Sequence, residues 1–213
     1  MKVAFVLYDN FTMLDIVGPY NVLTMMPDCE PVWVAEKIGA VIDHTRVGAL
    51  VANTTFAECS DPDIVVAPGG LGTELHFDGP VVEWLRTVKP HAQWMTSVCT
   101  GSLLLGSAGF LEGLTATSHW ASMDALAHFG ATPTHQRVVF HKAQRLVTSA
   151  GVSSGIDMAL TLVEHIHDKL TAETIQLLIE YDPQPPVDSG CVTKASPEAM
   201  ALAAQLMGGS VSA

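Results

Sequence analysis

The chain has 213 residues, enough for one large domain that buries roughly 70% of its unfolded surface without disulfide or metal support. Ten Lys and Arg against 22 Asp and Glu give a net charge of −12, a field that repels phosphate backbones and argues against nucleic acid as a partner. At 48% hydrophobic residues the composition suits a well-filled core, yet no apolar run is long enough to span a bilayer, so no membrane partner is expected.

Apolar β-branched runs alternate with helix-period segments, the pattern of an α/β fold with a mainly parallel sheet sandwiched by helices. Val3–Tyr8 reads as the first strand rather than a secretion signal, because no longer apolar stretch or small-residue cleavage site follows. A helix opened by Thr12 or Asp15 runs to Leu23, with Met13, Leu14, Val17 and Tyr20 at helical spacing. Pro31–Ala35 reads as the second strand, and Val41–Val51 as a hairpin around Gly48. Asp63–Ala67 is a central buried strand that ends in a loop at Pro68-Gly69-Gly70. A helix over Val81–Lys89 and a strand over Trp94–Val98 follow. Leu114–Thr117 leads to His119-Trp120, and Ala121–Phe129 reads as another helix. Val138–Phe140 and Arg145–Thr148 read either as a hairpin or as successive strands. Ser153 is the expected N-cap of a long helix, Gly155–His167, and Thr171 starts a last helix to Tyr181. From about residue 182 the chain turns proline-rich, with a short helix near Pro197–Met207 and a frayed end. No repeat or linker divides it, so residues 1–213 are expected to form one domain with this tail.

Cys99 is the most informative residue. It follows the strand Trp94–Val98 and precedes the small-residue helix start Thr100-Gly101-Ser102. A sharp strand-to-helix turn pushes such a side chain out of the fold, and the helix start faces it with free N–H groups and the positive end of a dipole. Both effects favour thiolate, the nucleophilic form. A free cysteine is otherwise a small buried hydrophobe, and Cys29, Cys59 and Cys191 fit that account or sit in loops. Four cysteines with no C-x-x-C pair point to reduced thiols and a cytoplasmic location. In open α/β sheets sites form at the carboxyl ends of the strands, where Asp15, Gly69-Gly70, Cys99-Thr100 and Thr148–Ser154 all fall. Gly69-Gly70 allows a backbone that aims N–H groups outward, as in an oxyanion hole, though it also reads as a plain tight turn. Asp15 by itself reads equally well as a first-turn aspartate favoured by the helix dipole. His119 reads as packed or hydrogen-bonded structure. No H-E-x-x-H, G-x-G-x-x-G or G-x-x-x-x-G-K pattern is present, so neither a metal nor a nucleotide cofactor is expected.

Four stretches together resemble the ThiJ/PfpI superfamily: Ala67-Pro68-Gly69-Gly70, Thr96–Ser102, Ala116–Trp120 and Gly151–Asp157. The resemblance runs from the first strand to about Pro186 and implies a class I glutamine-amidotransferase-like (flavodoxin-like) fold. Within the superfamily the chain is most similar to isonitrile hydratases and to the sensor domains of certain AraC-type regulators. Asp15, in Leu14-Asp15-Ile16-Val17-Gly18-Pro19, matches the family's acidic residue, and Gln176–Tyr181 its late helix. The superfamily's proteases carry a histidine directly after the cysteine, where this chain has Thr100. Glutamine amidotransferases need a late His-x-Glu, which His165-Ile166-His167 does not supply.

The resemblance therefore implies cofactor-independent hydration of an isonitrile to an N-substituted formamide. Cys99 would form a thioimidate, Asp15 would carry protons, and Thr100 would assist through its N–H, its hydroxyl or both. Gly70 and Gly69 would position the substrate. A homodimer is implied in the same way. The alternative is a non-enzymatic ligand-sensing or stress-related domain of the kind attached to AraC-type regulators.

Overall fold

The computed structural model describes residues 1–209. In chain order its strands are β1 (Lys2–Val6), β2 (Glu30–Ala35), β3 (Gly39–Ile42), β4 (Ala49–Ala52), β5 (Thr54–Thr55), β6 (Ile64–Ala67), β7 (Trp94–Val98), β8 (Thr115–Ala116), β9 (Thr132–Pro133), β10 (Val138–His141) and β11 (Leu146–Ser149). The α-helices are α1 (Met13–Leu23), α2 (Pro80–Val88), α3 (Gly101–Ser107), α4 (Ser154–Ile166), α5 (Lys169–Leu178) and α6 (Pro197–Gly209), with short 3₁₀ turns at Thr73–His76, Trp120–Ser122 and Asp124–Phe129.

Seven strands form one sheet in the order β10-β11-β7-β6-β1-β2-β5, parallel throughout except for the β10–β11 pair. β6 and β7 are buried at every position, because helices cover both faces and no polar alternation is tolerated there. Helices flank the sheet in two groups, α1 with α4 and α5, and α2 with α3. The register pairs Phe5 with Val66, Val66 with Thr96, and Val98 with Ser149. The carboxyl ends of β1, β6, β7 and β11 therefore reach the same edge, and the segments leading to Asp15, Gly69, Cys99 and Val152 leave from it.

The Val41–Val51 segment is a hairpin as expected, β3 pairing antiparallel with β4 outside the main sheet. β10 and β11 settle as a hairpin whose second strand joins β7. Ala121–Phe129 is not an α-helix. His119 Nδ1 accepts the Ala121 N–H, and bonds such as Leu126 N to Met123 O wind the stretch into 3₁₀ turns. Ser153 holds the N-cap position of α4 without a side-chain cap, since its Oγ takes a bond from Arg137 instead. The cap of α5 is Asp168, which accepts from Thr171 N at 2.7 Å, so that helix starts two residues earlier than Thr171 suggests.

The chain falls into two compact units, Met1–Glu180 and Tyr181–Ala213. The second unit carries α6, opened by Ser196 Oγ accepting from Ala199 N at 3.1 Å. The expected fraying of the last residues concerns 210–213, which lie outside the described residues. Among the described residues no helix is long and apolar enough to cross a membrane.

Leu104 of α3 is fully buried in the core beneath the Cys99 turn. Leu104→Ala should lower unfolding free energy by roughly 2–5 kcal/mol, the usual penalty for truncating such a side chain, as read by urea denaturation.

Candidate active site

Cys99 sits one residue past β7 with φ +58°, in the left-handed region that a non-glycine residue adopts only under constraint. Its own backbone shows the constraint. The Cys99 N–H lies between Ser149 O at 3.1 Å and Ala150 O at 2.9 Å. Its carbonyl accepts from Ser102 Oγ and Ser118 Oγ, each at 3.1 Å. Gly101 completes the turn, because a Cβ there would strike the Ala67 carbonyl. α3 can thus begin directly against the end of β6 and aim Cys99 at the loop carrying Asp15.

Asp15 stands in the first turn of α1, and Thr12 N donates to Gly69 O at 2.8 Å, which ties that turn to the Gly69-Gly70 loop. The carboxyl is completely buried. Oδ2 accepts from Gly69 N at 2.9 Å, whereas Oδ1 has no hydrogen-bond partner. A buried acceptor without a partner is costly, and the carboxyl to which it belongs interacts with the Cys99 thiol. Gly70 N donates to Thr100 Oγ1 at 3.0 Å. A Cβ on Gly69 would collide with Thr100 and approach Asp15 Oδ2 to 3.0 Å, so only glycine fits against both residues.

Asp15, Gly69, Gly70, Cys99 and Thr100 therefore converge, as the sequence suggests, but two details differ from expectation. The Gly69 and Gly70 N–H groups do not form an open pair of donors, since one holds the Asp15 carboxyl and the other the Thr100 hydroxyl. The donors directed at the sulfur are instead the N–H groups of Val152 and Thr100. The second difference is ionisation. Cys99 is 5% exposed, and burial pushes its thiol up to about 12, with the Asp15 charge adding to the effect. The dipole of α3, seven residues long, and the two N–H groups do not offset this, so the resting thiolate expected from the turn gives way to a thiol. Burial likewise raises Asp15 to about 7, partly countered by the Gly69 N–H and the Cys99 thiol. The pair is thus a buried thiol beside a carboxyl that changes charge near neutrality.

Three contributors are not evident from the sequence. Val152 places its N–H at the sulfur with φ +40°, a conformation that a β-branched residue strongly disfavours and that propensity would not suggest. Thr73 and Tyr8 bond to the Thr100 side of the site from a 3₁₀ turn and from the end of β1, segments without a recognisable catalytic pattern. His119 is structural: it caps a 3₁₀ turn and its ring lies against Gly151, while burial lowers its pKa. A separate cavity of about 450 Å³ lies beyond Tyr8, lined by Asp9, Glu36, Phe56 and His76 among others, and Cys99 does not open onto it. Among the described residues no group of three or more His, Cys, Asp or Glu is placed to hold a metal ion.

The chain is similar to several known proteins. A model of the DJ-1/PfpI family matches residues 1–165. The isonitrile hydratase of Pseudomonas putida is 40% identical over 191 residues, which cover 89% of this chain and 82% of that protein. A solved ThiJ/PfpI family protein from Pseudomonas syringae superposes with a TM-score of 0.91 at 36% identity, covering 97% of this chain and 86% of that one. The HTH-type transcriptional regulator CdhR of Pseudomonas aeruginosa is 26% identical over 171 residues, 74% of this chain but only 51% of the regulator.

The Asp15 pKa carries a stability consequence. Between its ordinary value of 3.8 and about 7 the folded chain holds a proton that the unfolded chain has released, so stability falls as pH rises through that window. Asp15→Asn removes the effect. Its Tm should exceed that of the unmodified chain by a margin that widens from about pH 4 to about pH 8, measured by calorimetry.

Proposed function

The chain belongs to the DJ-1/PfpI family, and on that premise we propose that it hydrates isonitriles to N-substituted formamides, with Cys99 as nucleophile and Asp15 as proton carrier. A hydratase-like function is supported by the 40% identity to isonitrile hydratase. The observation that carries the finer reading is the fully buried Asp15 carboxyl interacting with the buried Cys99 thiol. A proton acceptor and a nucleophile are thereby held together where water does not compete for either.

An isonitrile, R–N≡C, accepts a nucleophile at its terminal carbon as that carbon gains a proton. The Asp15 carboxylate takes the Cys99 proton, sulfur bonds to carbon, and the same proton passes to carbon, giving the thioimidate R–N=CH–S. Charge developing on sulfur meets the Val152 and Thr100 N–H groups. Water then adds at carbon, losing a proton to Asp15 while the C=N pair moves to nitrogen and takes a proton there. The resulting R–NH–CH(OH)–S adduct expels sulfur, which regains its proton, and releases R–NH–CHO. Water and isonitrile sum to the formamide, and no external oxidant, reductant or cofactor enters. The covalent intermediate divides one difficult addition into two easier ones. Cytoplasmic location and assembly as a homodimer belong to the same proposal, the latter read by sedimentation.

Ligand sensing without turnover is the second reading, supported by the similarity to CdhR. Incubation with cyclohexyl isocyanide separates the two. Hydration gives N-cyclohexylformamide from the unmodified chain and none from Cys99→Ala, whereas a sensor gives none from either. Substantial formamide from Cys99→Ala would remove the covalent route. Because the free site must present carboxylate to accept the thiol proton, kcat/KM should rise with pH to a plateau, with its midpoint near the Asp15 value of about 7. Asp15→Asn should lower kcat by about 10²–10⁴ with the circular dichroism spectrum unchanged.

A further inference from the structure

Thr100 Oγ1 is one end of a chain of three hydroxyls, continuing to Thr73 Oγ1 at 2.8 Å and on to Tyr8 Oη at 3.1 Å. A hydroxyl has one proton to donate and two lone pairs that accept. Tyr8 donates to Pro68 O at 2.8 Å, and Thr73 donates to Gly70 O at 2.7 Å. Carbonyl oxygens bring no proton, so each of these contacts needs the proton of its hydroxyl, and the longer 3.1 Å approach of Tyr8 to Thr73 is the one left without a proton. Thr100 Oγ1 already accepts from Gly70 N at 3.0 Å. The proton in the short Thr100–Thr73 contact is then that of Thr100.

The reverse arrangement fails on distance. It would turn the Thr100 proton toward Gly70 O at 3.4 Å and leave the 2.7 Å pair of Thr73 and Gly70 oxygens with no proton between them. Thr73 is 2% exposed and Tyr8 4%, so water does not rearrange the cluster. Burial also holds the Tyr8 phenol far above its ordinary pKa, with the Asp15 and Cys99 charges adding to that effect, and it keeps its proton.

We propose that Thr73 is a positioning residue that takes the Thr100 hydroxyl proton, so that Thr100 meets the reacting groups as a hydrogen-bond acceptor. The proposal deepens the hydratase reading and rests on it. One Thr100 lone pair is engaged by Gly70 N–H, and the other is left as an acceptor. A water entering with the substrate gives one O–H to that lone pair and the other to the Asp15 carboxylate. Its oxygen lone pair is then aimed at the thioimidate carbon, the proton on the Asp15 side leaves as the carbon–oxygen bond forms, and the proton on Thr100 remains on the product oxygen until collapse. Thr100 thereby orients the hydrating water and does not protonate the substrate.

Two measurements test this. A neutron structure of the deuterated protein should show deuterium on Thr100 Oγ1 directed at Thr73, and deuterium on Thr73 directed at Gly70 O. Deuterium on Thr73 directed at Thr100 would overturn the proposal. In kinetics, Thr73→Val keeps the shape and removes the acceptor; it should lower kcat about tenfold, with KM changed by less than about threefold and the rate of Cys99 alkylation unchanged. Thr73→Ser, which restores the hydroxyl, should stay within about threefold of the unmodified chain. A Thr73→Val protein with unreduced kcat, or a Thr73→Ser protein as impaired as Thr73→Val, would also overturn it. The neutron map needs neither turnover nor a folded variant. Absence of formamide from the unmodified chain would thus sink the hydratase reading by itself, while the map still decides the proton's position.

Discussion

A carboxyl buried against a thiol organises this molecule. Asp15 and Cys99 lie 84 residues apart in sequence (99 − 15), and each would be more stable exposed to water. The fold holds them together through backbone. The parallel sheet brings the ends of β1, β6 and β7 to one edge, the Gly69 N–H holds one carboxyl oxygen, and the strained turn at Cys99 is pinned by bonds at both its N–H and its carbonyl. What the chain forgoes in stability at this point it recovers in a sheet centre where β6 and β7 are buried at every position.

The electrostatics of the pair reverse a common intuition about cysteine nucleophiles. A sharp turn and a helix start usually favour thiolate, and here two N–H groups do face the sulfur. Burial and a neighbouring carboxyl dominate them. On the proposed route the proton stays on sulfur until the neighbouring carboxylate takes it. An uncharged, weakly polar substrate such as an isonitrile suits that arrangement, since it enters without bringing a compensating charge and leaves as a neutral formamide.

The architecture was legible because it depends on local patterns, whereas Asp15 joins Cys99 as a candidate only through the ThiJ/PfpI resemblance. Buried strands read as unbroken β-branched runs, and Cys99 announces its turn through Gly101 and Ser102. Finer features were hidden for physical reasons. The 3₁₀ winding after His119 depends on a side-chain cap that a helix-period pattern does not reveal. The donor role of Val152 requires a positive φ that its residue type disfavours. Thr171 reads as the start of α5, although Asp168 three residues earlier accepts its N–H and opens the helix at Lys169. The charge state of Cys99 depends on burial depth and on a carboxyl from a distant segment, neither of which a local window contains.

Infrared titration tests the central claim most directly, comparing the unmodified chain with Cys99→Ala so that the S–H band of Cys99 is isolated from those of the other three cysteines. The account predicts that this band persists to about pH 9, while a protonated-carboxyl band absent from Asp15→Asn disappears around pH 7. Loss of the Cys99 S–H band at or below neutrality, with Asp15 already ionised near its ordinary value, would contradict it.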